Sequence, residues 1–329
     1  MLNKVYIPKS EDTLSDDICY RAKLDTGTYC NYNCSFCYYS DRLDKKDSLE
    51  LIINRIENLY LRGAKEIELS GGESSIHDNW YDILDYCKLR FAHISTLSNG
   101  GLFYYESFLQ KSRAAGLKEI LFSLHGWDET SHDAMVHHKG AYKKILAAIT
   151  NSINNNLITR LNCTIQNNFN ANKYLESLKQ LELNKIKQIN FLPLNYWEDA
   201  NDLQELDYSK ISNELMKCIE ALQQYDIVLV IRYIPFCFIE EKDMKYLKGT
   251  YQHIFDKTDW NILLYHDNNL ELTKENMFNQ AQINRQYSYS KPISCKGCKY
   301  LLQCDGIEKT IKKNPITFPR LGDLIKGMI

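Results

Sequence analysis

Cys30-Asn-Tyr-Asn-Cys34-Ser-Phe36-Cys37 sets three thiols at C-x3-C-x2-C spacing, with an aromatic residue just before the third. Three thiolates in so short a loop can bind three corners of a cubic iron–sulfur cluster and leave the fourth iron without a protein ligand. An open iron can bind a substrate or a second cofactor, whereas a structural zinc site closes with four ligands. The spacing alone also admits a partial zinc site, or three reduced core cysteines.

A second group lies near the other end. Cys295, Cys298 and Cys304 give C-x2-C-x5-C, and Cys237 stands upstream in Ile-Pro-Phe-Cys. Together these are four thiols, a complete ligand set for a second cluster or for a zinc knuckle. The remaining cysteines, Cys19, Cys87, Cys163 and Cys218, are expected in the core, where free cysteine behaves as a small hydrophobe.

Between the two groups stand motifs at the ends of strand-like runs. Ser70-Gly71-Gly72-Glu73 has two glycines that allow close backbone approach and positive φ. Its Glu can accept a hydrogen bond from an ammonium group, or merely cap a turn. Ser98-Asn99-Gly100 ends the next run and is also a common turn signal. With the first cysteine motif, these resemble the radical S-adenosylmethionine (SAM) superfamily. The resemblance implies a [4Fe–4S] cluster on Cys30, Cys34 and Cys37 whose free iron chelates the amino and carboxylate groups of SAM. It implies reductive cleavage of SAM to methionine and a 5′-deoxyadenosyl radical.

The same resemblance implies site roles. Gly71, Gly72 and Glu73 meet the SAM amino group, and Ser98 and Asn99 the ribose. Ser123, Arg160 and Asn162 contact the ribose and carboxylate; Arg160 offers a carboxylate-matching fork on the same strand face as Asn162. Phe36 lies beside adenine, and Leu192-Pro193-Leu194 presents backbone groups to its edge. The C-terminal cysteines resemble a twitch or shortened SPASM lobe with one auxiliary [4Fe–4S] cluster. His125, in Ser123-Leu-His-Gly, stands at a strand end where a proton can be given or taken, with packing as the plainer reading. His132, His137 and His138 read as a solvated loop or helix face.

The elements that must position these groups alternate. Strands are expected at Ala22–Thr28, Glu66–Ser70, His93–Leu97, Glu119–Leu124, Thr159–Ile165 and Gln188–Leu192, with helices between. Leu49, Ile52, Ile53, Ile56, Leu59 and Tyr60 form one apolar helical face; Ser48 or Asp47 can cap it, and Gly63 ends it. Ile145, Ala148, Ile149 and Ile153 form another. Six βα units imply an α/β fold, a partial (β/α)6 TIM-like barrel, whose chemistry sits at the C-terminal strand ends. Residues 1–20 read as a lead-in, 21–200 as the barrel and 201–329 as a small iron–sulfur cluster lobe. In that last region a helix is expected at Leu203–Gln224, a strand at Ile227–Ile231, and a hairpin from Trp260–His266 and Asn269–Thr273.

The chain has 329 residues, 44% of them hydrophobic, enough for a sizeable core. A net charge of −2 provides no global field for nucleic acid; RNA modification would require a local basic groove with stacking aromatics, which the 23 tyrosines allow but do not mark by clustering. No signal peptide or membrane span is expected, and 11 cysteines in such a chain fit a reducing cytoplasm. The expected activity is hydrogen-atom abstraction from a ribosomal peptide, leading to crosslinking, epimerisation or dehydrogenation. A small metabolite such as a nucleotide or sugar, an RNA, or a non-catalytic iron–sulfur regulator are the alternatives. An electron donor such as flavodoxin or ferredoxin is expected. A separate peptide-recognition protein is a further possible partner, because only 29 residues precede Cys30.

Overall fold

The computed structural model describes residues 21–37, 39, 45–61, 63–193, 206–248, 289–301, 304 and 306–308. The lead-in, the hairpin at 260–273, Cys19, Leu194 and the segment after Glu308 lie outside the described residues.

Strands β1 (Arg21–Asp25), β2 (Glu66–Ser70), β3 (His93–Ser98), β4 (Glu119–Ser123), β5 (Ile158–Ile165) and β6 (Ile186–Pro193) follow one another in a parallel sheet. Helices α1 (Leu49–Leu61), α2 (Trp80–Lys88), α3 (Glu106–Ala114), α4 (Glu129–Val136), α5 (Ala141–Asn154) and α6 (Ala171–Leu178) connect them. Ser48 caps α1, accepting the Leu51 N–H at 3.2 Å; Asp47 instead pairs with Arg55. Gly63, at φ +96°, ends that turn.

The sheet runs on past residue 200. Helix α7 (Tyr208–Leu222) packs beside α6 and returns the chain to β7 (Val228–Arg232), which pairs parallel with β6; the two-residue β8 (Leu247–Lys248) follows. Among the described residues the sheet thus holds seven full strands and a short eighth: the six expected βα strands, the strand expected at Ile227–Ile231, and β8. The apolar run of β7 covers the otherwise exposed edge of β6. Among the described residues β8 does not pair with β1, so the barrel is open. No described helix is long and apolar enough to cross a membrane.

Outward residues such as Ala22, Leu24, Ile67, Leu69, Ile120 and Phe122 form the core against the helices, together with Cys87, Cys163 and Cys218. Inward residues are largely polar. At the N-terminal strand ends, Arg21 meets Glu119 and Glu66, each at 2.9 Å. His93 Nε2 meets Glu119 at 2.8 Å. Arg160, only 1% exposed, pairs with Glu68 at 3.1 Å and with Glu119. Arg160, expected to meet the SAM carboxylate, is thus engaged by two internal carboxylates. Its guanidinium finds its carboxylates inside the protein, in a buried network that closes the barrel floor, because a buried charge requires a partner.

Candidate functional site

The cysteine loop is clamped on two sides. Beyond β1, Thr26 N donates to Ser70 O at 2.9 Å, Gly72 N to Gly27 O at 3.0 Å, and Glu73 N to Tyr29 O at 2.9 Å. A Cβ on Gly71 would lie 2.1 Å from Gly27 O, and one on Gly72 2.1 Å from Tyr29 O. The two glycines are thus required by the approach of the protein's own backbone. On the far side, Ser35 N donates to Met135 O at 3.0 Å. Tyr32 is buried against Val136 and Ala141 and stacks on His138 at 4.2 Å.

Cys30 and Cys37 accept backbone hydrogen bonds from two residues ahead: Tyr32 N at 3.4 Å and Tyr39 N at 3.3 Å. Burial pushes the Cys30 thiol up to about 12, with the Glu73 charge adding to the shift; burial and the nearby Cys37 and Cys30 do the same for Cys34. Bare thiolates are disfavoured there, and positive irons together with N–H···S bonds would compensate them. Three partly buried thiols in one loop therefore fit a cubic cluster. Among the described residues no three His, Cys, Asp or Glu side chains converge on a single ion. A cubane takes each thiolate on a separate iron, so its ligands need not converge on one point.

Glu73 is buried and links the loop to β3. It accepts Ser98 Oγ at 2.9 Å, Asn99 N at 2.7 Å and Ser75 N at 3.4 Å, and caps the short turn Ser74–Ile76. Burial raises its pKa against the pull of those bonds. Asn99 is engaged at both ends of its amide. Oδ1 accepts Gly101 N at 2.8 Å, while Nδ2 donates to Asn31 Oδ1 at 2.8 Å and faces Cys30 Sγ at 3.8 Å. Ser98 Oγ also accepts Gly100 N, at 3.0 Å. Of the two residues expected to meet a ribose, Asn99 reaches the cysteine loop and Ser98 binds Glu73.

Beyond β4, Phe36 meets His125 edge-on, ring centroids 4.8 Å apart. His125 is buried, and its Nδ1 accepts Thr164 N at 3.1 Å. That bond fixes the neutral Nε2–H tautomer, and burial holds its pKa well below the usual range. His132 overturns its expected solvated position. It is 1% exposed, and its Nδ1 accepts the N–H groups of His125 and Gly126, each at 3.3 Å. The strand-to-helix turn needs an internal acceptor there, which the polar sequence around it conceals. On β5 and β6, Asn190 Nδ2 donates to Asn162 Oδ1 at 2.8 Å, Ser123 lies opposite Asn162 in register, and Leu192 lies opposite Thr164. A cleft of about 530 Å³ opens beside the loop, lined by Ser35, Trp127, Met135, Gln166, Asn168 and Lys173 among others.

The second cysteine group also assembles. Cys298 and Cys304 accept Tyr300 N at 3.4 Å and Gly306 N at 3.3 Å, the two-residue pattern of the first loop. Phe236 N donates to Cys304 Sγ at 3.5 Å, which places the segment of Cys237 beside them. Partial burial, and then the closeness of Cys304, Cys295 and Cys298, raises the Cys237 pKa. Four neighbouring thiols, two of them with backbone donors, fit a second cluster. Strands β9 (Tyr289–Ser290) and β10 (Ile307–Glu308) pair antiparallel around this loop. Asp25 and Tyr39, absent from the sequence-level site, are joined by a hydrogen bond at the end of β1; the polar alternation of Arg21, Lys23 and Asp25 is the signal that marks them as inward-facing.

Residues 24–181 match the Radical SAM superfamily. The sporulation killing factor maturation protein SkfB of Bacillus subtilis is 27% identical over 153 residues, 46% of this chain and 37% of SkfB. A GTP 3′,8-cyclase of Clostridium perfringens is 24% identical over 165 residues, 48% of this chain and 50% of the cyclase. The matched stretches thus span half or less of these relatives. Among solved structures, Streptococcus suis SuiB bound to precursor peptide SuiA has a TM-score of 0.62 at 12% identity, covering 88% of this chain and 72% of SuiB. The structure of anSMEcpe with AdoMet and the Cp18Cys peptide has a TM-score of 0.59 at 14% identity, covering 94% and 99%. Both likenesses establish the partial-barrel fold alone, while the family match places a Radical SAM domain in residues 24–181, just under half of the chain.

Proposed function

We propose that the protein is a radical SAM enzyme that modifies a peptide. Cys30, Cys34 and Cys37 would hold a [4Fe–4S] cluster. When bound, such a cluster supplies the electron that splits SAM into methionine and a 5′-deoxyadenosyl radical. The chain's own residues position the reactants. Glu73 retains acceptor capacity on Oε2 for the SAM ammonium, Asn99 braces the loop, and Phe36 and His125 wall the mouth. Cys237, Cys295, Cys298 and Cys304 would hold a second [4Fe–4S] cluster over the C-terminal strand ends. The observation that carries this reading is the clamp between the cysteine loop and Gly71-Gly72-Glu73, which unites an open-cluster ligand set with an ammonium acceptor.

The peptide class is supported by the maturation protein SkfB and by the peptide-bound SuiB and anSMEcpe structures, and by a polar cleft beside the loop. A flavodoxin or ferredoxin would reduce the cluster. The free state of all ten described cysteines fits a reducing cytoplasm. The test is anaerobic incubation of the reconstituted protein with SAM, dithionite and short peptides encoded beside its gene. A peptide mass change accompanied by 5′-deoxyadenosine supports the reading. A second reading, a nucleotide substrate, is favoured by the GTP 3′,8-cyclase relative. SAM cleavage that consumes GTP and leaves every peptide unchanged would establish that reading instead.

A further inference from the structure

Asp25 closes β1 on its inward face. Ala22 and Leu24 of that strand pack outward into the helix-covered core, and Arg21 reaches Glu119 across the barrel floor. Alternation therefore turns Arg21, Lys23 and Asp25 inward, with Asp25 opposite Ser70 in register, one residue before the Gly-Gly turn. The Asp25 side chain belongs to a residue that is 7% exposed. Its Oδ2 accepts the phenolic O–H of Tyr39, two residues after Cys37. Its Oδ1 has no hydrogen-bond partner among the described residues. The outgoing arm of the cysteine loop thus holds a carboxylate in one orientation and leaves one of its oxygens unused.

Buried polar atoms ordinarily find partners, and an unused carboxylate oxygen is costly. A carboxylate only accepts, so its partner must bring an N–H or O–H. The SAM-side polar groups, Glu73, Ser98 and Asn99, lie on the β2–β3 flank and are engaged with one another. Asp25 stands on the neighbouring strand β1, which borders the open side of the barrel and takes no part in that hydrogen-bonded group. We propose that Asp25, oriented by Tyr39, is a substrate-binding residue that accepts an amide N–H or a side-chain N–H or O–H of the bound peptide. This rests on the peptide reading given above.

The test uses the peptide modified by the wild-type protein, labelled for fluorescence anisotropy, and cluster-loaded protein with SAM present. Asp25→Asn keeps the shape and replaces the free acceptor with a donor. It should weaken peptide binding at least tenfold, with iron content unchanged and SAM affinity, measured by equilibrium dialysis, within twofold. Tyr39→Phe removes the tether but keeps the carboxylate, and should weaken peptide binding by no more than about threefold. Unchanged peptide binding in Asp25→Asn overturns the proposal. So does a tenfold loss of SAM affinity, which would assign Asp25 to the cofactor, or a Tyr39→Phe defect equal to that of Asp25→Asn, which would leave Asp25 only an anchor. Wild-type protein that cleaves SAM but binds no peptide overturns the peptide reading and this proposal with it. Peptide binding by wild type with Asp25→Asn unaffected overturns the proposal alone.

Discussion

The backbone N–H of Asn99 meets Glu73 Oε2 at 2.7 Å, while the Asn99 side chain reaches Asn31 and faces Cys30. The end of β3 therefore holds both Glu73 and the cysteine loop. Asn99→Ala should make the [4Fe–4S] cluster easier to lose and harder to reduce, because hydrogen bonds near cluster sulfurs raise the reduction potential. SAM affinity should change by less than threefold. Redox titration followed by EPR, with SAM binding by dialysis, checks this. A large loss of SAM affinity with an unchanged potential would return Asn99 to the ribose contact expected from the sequence.

Gly72→Ala should detach the cysteine loop. The added Cβ would sit 2.1 Å from Tyr29 O, and backbone displacements of this kind cost about 1–3 kcal/mol. Urea unfolding and iron content after reconstitution measure the effect, with both expected to fall. A fully loaded, equally stable variant would show that the clamp is dispensable.

The barrel strands were legible because the run of βα units leaves its period in the sequence. The apolar faces at Ile52, Ile56 and Leu59 and at Ile145, Ile149 and Ile153 are buried as the pattern requires. What stayed hidden is set by contacts far apart in the chain. Arg160 reads as a free fork, yet its partner Glu68 lies 92 residues away. Gly71 and Gly72 read as a ligand cradle, but the atoms that demand them belong to Gly27 and Tyr29. His132 looks solvated beside Ser131 and Asp133, and only the β4–α4 turn makes it a buried acceptor. The seventh strand was visible as a strand, but its place beside β6 depends on how α7 packs.

Arg160→Met tests whether that residue serves the floor network or the SAM carboxylate. Breaking a buried charge network typically costs about 3–5 kcal/mol, and SAM affinity of the folded variant should remain within twofold of wild type. A stable variant that loses SAM would restore the carboxylate contact.

Acid should loosen the same floor. Burial opposes ionisation of Glu119, but the His93 hydrogen bond and the Arg160 and Arg21 charges outweigh it and lower its pKa from 4.5 to about 2. A carboxylate depressed in the folded state contributes stability fully above its unfolded pKa, and that contribution is lost as pH falls through about 4.5 toward 2. Urea midpoints should decline across this window, and Glu119→Gln should flatten the decline while lowering stability near neutrality.

The second site separates iron from zinc. A Cys30/Cys34/Cys37→Ala triple variant should still bind about four irons, since four thiolates hold a cubane independently. That iron should be lost on replacing Cys295, Cys298 or Cys304, and altered by Cys237→Ala. Zinc without iron in the triple variant would make the C-terminal lobe a structural cap.

The most direct measurement is product analysis after one anaerobic incubation. Cluster-loaded protein with dithionite and SAM should release 5′-deoxyadenosine and methionine in equal amounts, and single Cys30→Ala, Cys34→Ala and Cys37→Ala variants should release none. Wild-type protein carrying its full iron yet leaving SAM intact, or undiminished cleavage in any of the three variants, would contradict the account.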